Sequence, residues 1–205
     1  MTQNKIALID YGLGNLFSVE RALKAVQADY KLTDNPEDLL RANKLILPGV
    51  GAFSDGMKGL LKRQLIKPIQ QAINQGKSLL GICLGMQLLM ETGHEFGEHT
   101  GLGLISGEVI KIKTKEKLPQ IGWNQIKIIK TDPLLDGVSN KTWFYFVHSF
   151  VIRPKNNNSI VAVTDYGGDN FCSIIRNHNI YGVQFHPEKS DQQGIKIYAN
   201  FVNKI

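Results

Sequence analysis

Residues 77–91, KSLLGICLGMQLLME, set an apolar run, the turn Gly81-Ile82-Cys83-Leu84-Gly85 and a second apolar run in immediate succession. The first run reads as a buried strand and the second as a helix. Strand, G-x-C-x-G, helix is the pattern of a nucleophile elbow. The two glycines let the chain turn sharply and let neighbouring backbone come close. Cys83 then heads a helix, whose N-terminus stabilises a thiolate, and the amide of Leu84 can face a developing oxyanion. A lone buried cysteine is ordinarily only a small hydrophobe, so the turn gains chemical meaning only with a base nearby.

Upstream of this stretch, KIALID (5–10) is a strand run, followed by Leu16, Val19, Leu23 and Val26 at helical spacing with Asn15 placed as the N-cap. KLILPGV (44–50) is a further strand, ended by Pro48-Gly49. The spacing predicts a helical stretch from about Asp55 to Gln75 that Pro68 breaks or kinks and Gly76 closes. Strands alternating with helices in this way argue for a parallel sheet covered on both faces. The second half differs. LISGEVIKIK, NQIKIIK, TWFYFVHSFVI, SIVAVTDY, FCSIIRN and IYGVQFH are strands in quick succession, RNHNI is a tight hairpin, and GIKIYANFVNKI is a closing helix. KTKEKLPQ (113–120) reads as a loop. The expected fold is α/β: a mostly parallel central sheet flanked by helices, with an added antiparallel portion in the C-terminal half, all in one domain over residues 1–205.

A chain of 205 residues can bury roughly 70% of its unfolded surface and needs no disulfide or metal to hold it together. Cys83 and Cys172 are its two cysteines, too few for a disulfide framework, and Cys172 inside FCSIIR reads as an inert core thiol. MTQNKIALIDYG runs straight into a strand pattern rather than through a basic, then apolar, leader. No apolar stretch reaches the length that crosses a membrane. The expected location is a reducing cytoplasm. The net charge of +6 comes from 24 Lys+Arg against 18 Asp+Glu, but the lysines are scattered and no nucleic-acid motif accompanies them. A basic face meeting an acidic protein partner fits that balance as well.

Among the five histidines, His186 in GVQFHPEKS stands out as a base. Pro187 pushes it into an extended conformation, which points residues i and i+2 to one side and brings Glu188 to its ring. Cys83, His186 and Glu188 then form a nucleophile, a base and an orienting carboxylate, the logic of a catalytic triad. Other candidates read as structural. GLGN (12–15) lacks the third glycine of a dinucleotide fingerprint, because Phe17 stands there, and reads as a loop facing a partner. HEFGEH (94–99) has no further metal-ligand spacing and reads as a solvated loop. His178 belongs to the hairpin turn. His148 either frames the site or packs beside it. Trp123 and Tyr145 read by default as core aromatics.

With GICLGMQ and HPE together, the chain resembles the triad (class I) glutamine amidotransferases over essentially its whole length. PGVGAF (48–53), GWN (122–124), YFVHSF (145–150), HPEKS (186–190) and DYGLGN (10–15) resemble most closely the glutaminase subunits of imidazole glycerol phosphate synthases, of histidine biosynthesis. That resemblance implies a glutaminase in which Cys83 attacks the side-chain amide of L-glutamine, His186 protonates the departing ammonia and Glu188 holds the imidazole. It implies oxyanion donors at Val50 and Leu84, and contacts to glutamine from Gly51, Gln87 and Ser149. It places Asn15, Trp123, Tyr145 and Lys189 on an interface with a barrel-fold cyclase subunit, giving a heterodimer, with no cofactor, no metal, no nucleic acid and no membrane. The rival within the family is a glutaminase serving another synthase, such as that of pyridoxal phosphate, against which PGVG and GWN argue. The rival outside it is a redox-sensing protein with an elbow cysteine, which has no need of HPE.

Overall fold

The computed structural model describes residues 6–205; Lys5, at the start of the first expected strand, and the residues before it lie outside the described residues. In chain order the first half runs β1 (Ile6–Ile9), α1 (Leu16–Ala25), β2 (Tyr30–Thr33), α2 (Pro36–Arg41), β3 (Lys44–Leu47), α3 (Phe53–Lys62), α4 (Ile66–Asn74), β4 (Ser78–Ile82) and α5 (Leu84–Leu88). There follow β5 (Met90–Gly93), β6 (His99–Thr100), β7 (Ile105–Lys111), β8 (Gln120–Gln125), β9 (Lys127–Ile128), β10 (Trp143–His148), β11 (Phe150–Pro154), β12 (Ile160–Tyr166), β13 (Asp169–Asn177), β14 (Ile180–Val183) and α6 (Asp191–Lys204).

An eight-stranded sheet has the order β2-β1-β3-β4-β14-β13-β12-β9. Its pairs are parallel from β2 to β14 and antiparallel from β14 to β9, which bears out the expected α/β architecture. Alternation along the strands sorts the core into two layers. Ile6 and Leu8 of β1 and Leu80 of β4 face one layer with Val19 and Leu23 of α1 and Tyr198 and Phe201 of α6. Ala7 and Ile9, with Leu79, face the other layer, against Leu39, Leu60, Ile69 and Leu84 from α2 to α5. Parallel strands buried on both faces must be apolar at nearly every position, which is why KIALID and KLIL carry no alternation.

The hairpin at RNHNI is present, pairing Asn177 with Ile180 across an exposed His178 at φ 54°. Other expectations need correction. The break in the 55–75 stretch falls at Arg63–Leu65, with Gln64 in the left-handed region at φ 58°. Pro68 sits instead in the first turn of α4, where its missing N–H costs nothing. The helix after Cys83 stops at Leu88 rather than running on through Glu91. The carbonyls of Leu88 and Leu89 are taken by the amides of Leu102, Leu104 and Ile105, so tertiary bonds replace the next helical turn. Met90–Gly93 becomes a strand against β7. TWFYFVHSFVI is two strands: β10 pairs with β8 as a ribbon, and after Ser149 the chain crosses to β7 in a separate four-stranded sheet.

The elbow glycines meet hard steric limits. A Cβ on Gly85 would lie 1.8 Å from the carbonyl oxygen of Leu47, and one on Gly81 would lie 2.8 Å from Gly85 O and Met86 N. The Gly85→Ala chain is therefore expected to lose about 3 kcal/mol or more, because backbone rather than a flexible side chain must move. For a domain of this size that lowers the melting temperature by about 6–12 °C. A thermal melt within 2 °C of the parent would show that the elbow is not packed this tightly.

Candidate active site

Because β14 pairs in parallel beside β4, with Val183 opposite Ile82, the two chains leave the sheet side by side at the same edge. One turns into the elbow and the other into GVQFHPE, so Cys83 and His186 meet there. Cys83 has φ 53° and ψ −110°, a conformation an L-residue adopts only under strain, and its amide is held by Val183 O at 2.8 Å. Helix α5 is only five residues long, so its dipole contributes less to a thiolate than the sequence pattern implies. As the first helical residue, Leu84 has an amide with no partner within the helix.

The imidazole Nδ1 of His186 lies 2.7 Å from Glu188 Oε1, with both side chains 2% exposed. Tyr198 of α6 donates to the other carboxylate oxygen at 3.4 Å. Ser190 Oγ donates to the His186 carbonyl at 2.7 Å and accepts the Tyr145 amide at 3.0 Å, while the His186 amide donates to Tyr145 O at 2.9 Å. Burial pulls the His186 imidazole down, but Cys83 and then Glu188 outweigh it and push it up to about 10. Its Nε2 is buried and makes no conventional hydrogen bond, and the strongest influence raising the ring is Cys83. A protonated imidazolium beside the elbow cysteine is the charge state this favours.

A cleft of about 350 Å³ opens over these groups. Of the residues singled out in the sequence, Cys83, His186, Val50, Gly51, Leu84, Gln87, Ser149 and Lys189 all line it. Glu188 stands behind His186. Asn15 caps α1, accepting from the Ser18 amide at 3.4 Å, and does not line the cleft. Trp123 and Tyr145 are not core residues. They face each other across the β8–β10 ribbon with ring centroids 6.2 Å apart, Trp123 is 46% exposed, and Lys189 Nζ lies 5.6 Å over the Tyr145 ring.

Gly49 packs against the elbow, where a Cβ would come 2.4 Å from Tyr11 Oη and 2.8 Å from Leu84 Cβ. Gly51, at φ 101°, has nothing within 4 Å of where its Cβ would be. Val50 between them is 38% exposed at the cleft.

His148 lines the cleft and also packs, edge-on, on Phe171 at 5.1 Å. Its Nδ1 is 3.0 Å from Phe150 O, and since a carbonyl only accepts, Nδ1 carries the proton. Burial, opposed by that hydrogen bond and assisted by the nearby His186, pulls it down to about 3. A histidine held below its unfolded value stabilises the fold fully above about pH 6.5 and loses that contribution as pH falls toward 3. Between those limits stability should fall by about 1.4 kcal/mol per pH unit from this group. The His148→Gln chain should lack that slope in denaturant titrations from pH 7 to 4; equal acid sensitivity in both proteins would refute it.

Three residues of the site carried no assignment from the sequence. Glu95, read within a solvated loop, places its carboxylate in the cleft, held by the Phe53 amide at 2.9 Å. Tyr198, at helical core spacing, braces Glu188 through its hydroxyl. Gln184, a polar residue inside a buried strand run, sits fully buried beside Cys83, and that polarity was the available signal. Cys172 is free and buried, with its thiol pushed well above the ordinary range by desolvation, as an inert core thiol should be. Among the described residues no group of His, Cys, Asp and Glu could hold a metal ion, and no helix is long and apolar enough to cross a membrane. His94 of the HEFGEH loop pairs with Glu108 at 2.9 Å.

The family model for class-I glutamine amidotransferases matches residues 7–205. The chain belongs to that family. The fold of this class-I glutamine amidotransferase is shared with a solved structure of PurLQS from Thermotoga maritima, at a TM-score of 0.77 and 20% identity over 99% of both chains. Closer in sequence is the imidazole glycerol phosphate synthase subunit HisH 1 of Methanococcus maripaludis, 45% identical over 98% of this chain and 100% of that protein. The HisH subunit of Dehalococcoides mccartyi is 45% identical over 96% and 95%, and HisH 1 of Legionella pneumophila strain Lens is 43% identical over 97% and 99%. Members of this family are enzymes, and this amidotransferase is one with an elbow cysteine and a buried His–Glu pair in one cleft.

Proposed function

We propose that the chain, a single domain, is the glutaminase subunit of an imidazole glycerol phosphate synthase, acting in histidine biosynthesis. The observation that carries the reading is the cleft that joins strained Cys83 to the His186–Glu188 pair at 2.7 Å. Identity of 43–45% to HisH subunits along nearly the whole chain supports the choice of synthase.

The Cys83 thiolate adds to the side-chain carbonyl carbon of glutamine, and the oxygen becomes an oxyanion facing the amides of Leu84 and Val50. Protonated His186 gives its Nε2 proton to the amide nitrogen; the C–N bond breaks, ammonia leaves and a glutamyl thioester remains. Water then adds to the thioester as neutral His186 takes its proton, the C–S bond breaks and glutamate leaves. Glu188 transfers no proton; it fixes the ring and stabilises the imidazolium. Glu95 supplies a carboxylate for the α-ammonium of glutamine, with Gln87, Gly51 and Ser149 forming the walls. The chemistry as written needs no metal or cofactor, and two free buried thiols suit a reducing cytoplasm.

Nothing in this cycle consumes the ammonia, so it passes to a cyclase subunit with a (β/α)-barrel fold. That subunit converts a phosphoribulosyl-formimino-carboxamide nucleotide into imidazole glycerol phosphate and aminoimidazole carboxamide ribotide. Docking falls to the exposed face of the ribbon, with Trp123, Tyr145 and Lys189, and to the Asn15 loop. Truncating an interface aromatic can cost 2 kcal/mol or more. Trp123→Ala should therefore leave the chain folded and weaken association with the cyclase by about 30-fold, read by titration calorimetry. The reading itself is tested by supplying glutamine, the cyclase and its nucleotide and following imidazole glycerol phosphate. Glutamate release without that product would assign the chain to another synthase.

A further inference from the structure

Gln184 is wholly buried, two residues before His186, with its backbone amide on Ser173 O at 2.9 Å. The orientation of its side-chain amide follows from a backbone group. The carbonyl of Phe150 can only accept, so the Gln87 atom 2.9 Å from it is the NH2 nitrogen. The same nitrogen lies 3.1 Å from Gln184, so the Gln184 atom there must be Oε1. That leaves Gln184 Nε2, 3.6 Å from Cys83 Sγ, to donate to the sulfur. Reversing either amide would set two donors or two acceptors against each other.

We propose that Gln184 is a positioning residue for the nucleophile: its amide N–H donates to the Cys83 thiolate and joins the sulfur, through Gln87, to the wall of the glutamine cleft. This rests on Cys83 being the nucleophile. The donor binds the charged sulfur more strongly than the neutral thiol, so it favours the thiolate. It also fixes where Sγ points without competing with His186, which must keep Nε2 free for the leaving ammonia. The chain Phe150 carbonyl, Gln87, Gln184, Sγ makes the nucleophile and the substrate wall one hydrogen-bonded unit. Since α5 has only five residues, this side-chain donor replaces much of what a longer helix would supply.

The test is the pH dependence of Cys83 alkylation by iodoacetamide in the full chain. Gln184→Met removes donor and acceptor; Gln184→Glu, when ionised, keeps an acceptor for Gln87 and removes the donor. Losing one hydrogen bond to a charged group should move the midpoint up by about one pH unit, slowing alkylation at pH 7 by about tenfold. In the Glu chain KM for glutamine should stay within about threefold while kcat falls, since Gln87 keeps its partner; in the Met chain both should suffer. A merely structural glutamine would lower the melting temperature and leave the alkylation midpoint where it was, and that result in both variants overturns the proposal. Should neither variant fold, the parent protein decides: the Gln184 side-chain amide resonance must titrate with the alkylation midpoint, and a flat resonance refutes the bond. Alkylation that persists in Cys83→Ala would instead refute the nucleophile itself.

Discussion

Replacing Cys83 by alanine is expected to lower glutamate release by more than about 10,000-fold, while the chain stays folded and still binds glutamine. In the proposed cycle the sulfur is the atom that forms the thioester. A glutamine-mimicking electrophile should label Cys83 once per chain. Cys172, buried with its thiol held protonated, should stay unlabelled, and Cys172→Ala should change stability only slightly. His186→Ala should approach the loss seen for Cys83→Ala, since the imidazole handles a proton in both half-reactions. Glu188→Gln should cost less, because an amide oxygen can still accept from Nδ1 while the ring loses only its charged partner. Labelling at Cys172, full turnover without Cys83, or a worse result for Glu188→Gln than for His186→Ala would each overturn the corresponding assignment. The turnover measurements use steady-state glutamate release with the cyclase present.

The isolated chain is expected to release glutamate about 100- to 1,000-fold more slowly than the complex with a cyclase carrying its nucleotide. That range is the worth of one oxyanion donor, and the proposed donor is the Val50 amide. Its neighbours are unequal. The backbone at Gly49 is packed against Tyr11 and the elbow, whereas Gly51 is in open space at positive φ, so a turn of the Val50 amide can be absorbed by compensating change on the Gly51 side. A glutaminase without an acceptor wastes glutamine, which gives the rotation a purpose. The route from the docking face is short. Lys189 lies over the Tyr145 ring, and the Tyr145 carbonyl holds the His186 amide at 2.9 Å, so a partner seated on the ribbon touches the strand that holds the base. Glutamate release followed across a titration of cyclase, with and without nucleotide, should show the rise only when both are present. Full activity of the isolated chain, or no response to the partner, would remove the switch and leave the Cys83 and His186 assignments standing.

What the sequence determined by itself is what short-range physics encodes. Gly81 and Gly85 flank a cysteine because no side chain fits against the next turn or against Leu47 O, so the elbow is legible in five letters. Pro187 forces His186 into extended backbone and puts Glu188 on the same side as its ring, so the pair at 2.7 Å was legible in three. Fully apolar strand runs gave the parallel half of the sheet, and turn residues gave the antiparallel half. The tertiary structure alone decided the rest, because it depends on which distant segments pair. Nothing near Cys83 says that β14 lies beside β4, yet that pairing brings His186 and Gln184 to the sulfur. The helix after Cys83 stops at Leu88 because amides from residues 102–105 take its carbonyls, a bond set invisible to local periodicity. Glu95 falls in a loop that reads as solvated, and Tyr198 in the closing helix with no role assigned, for the same reason: a side chain's polarity is local, but the group it meets is fixed by the packing of elements far away in the chain.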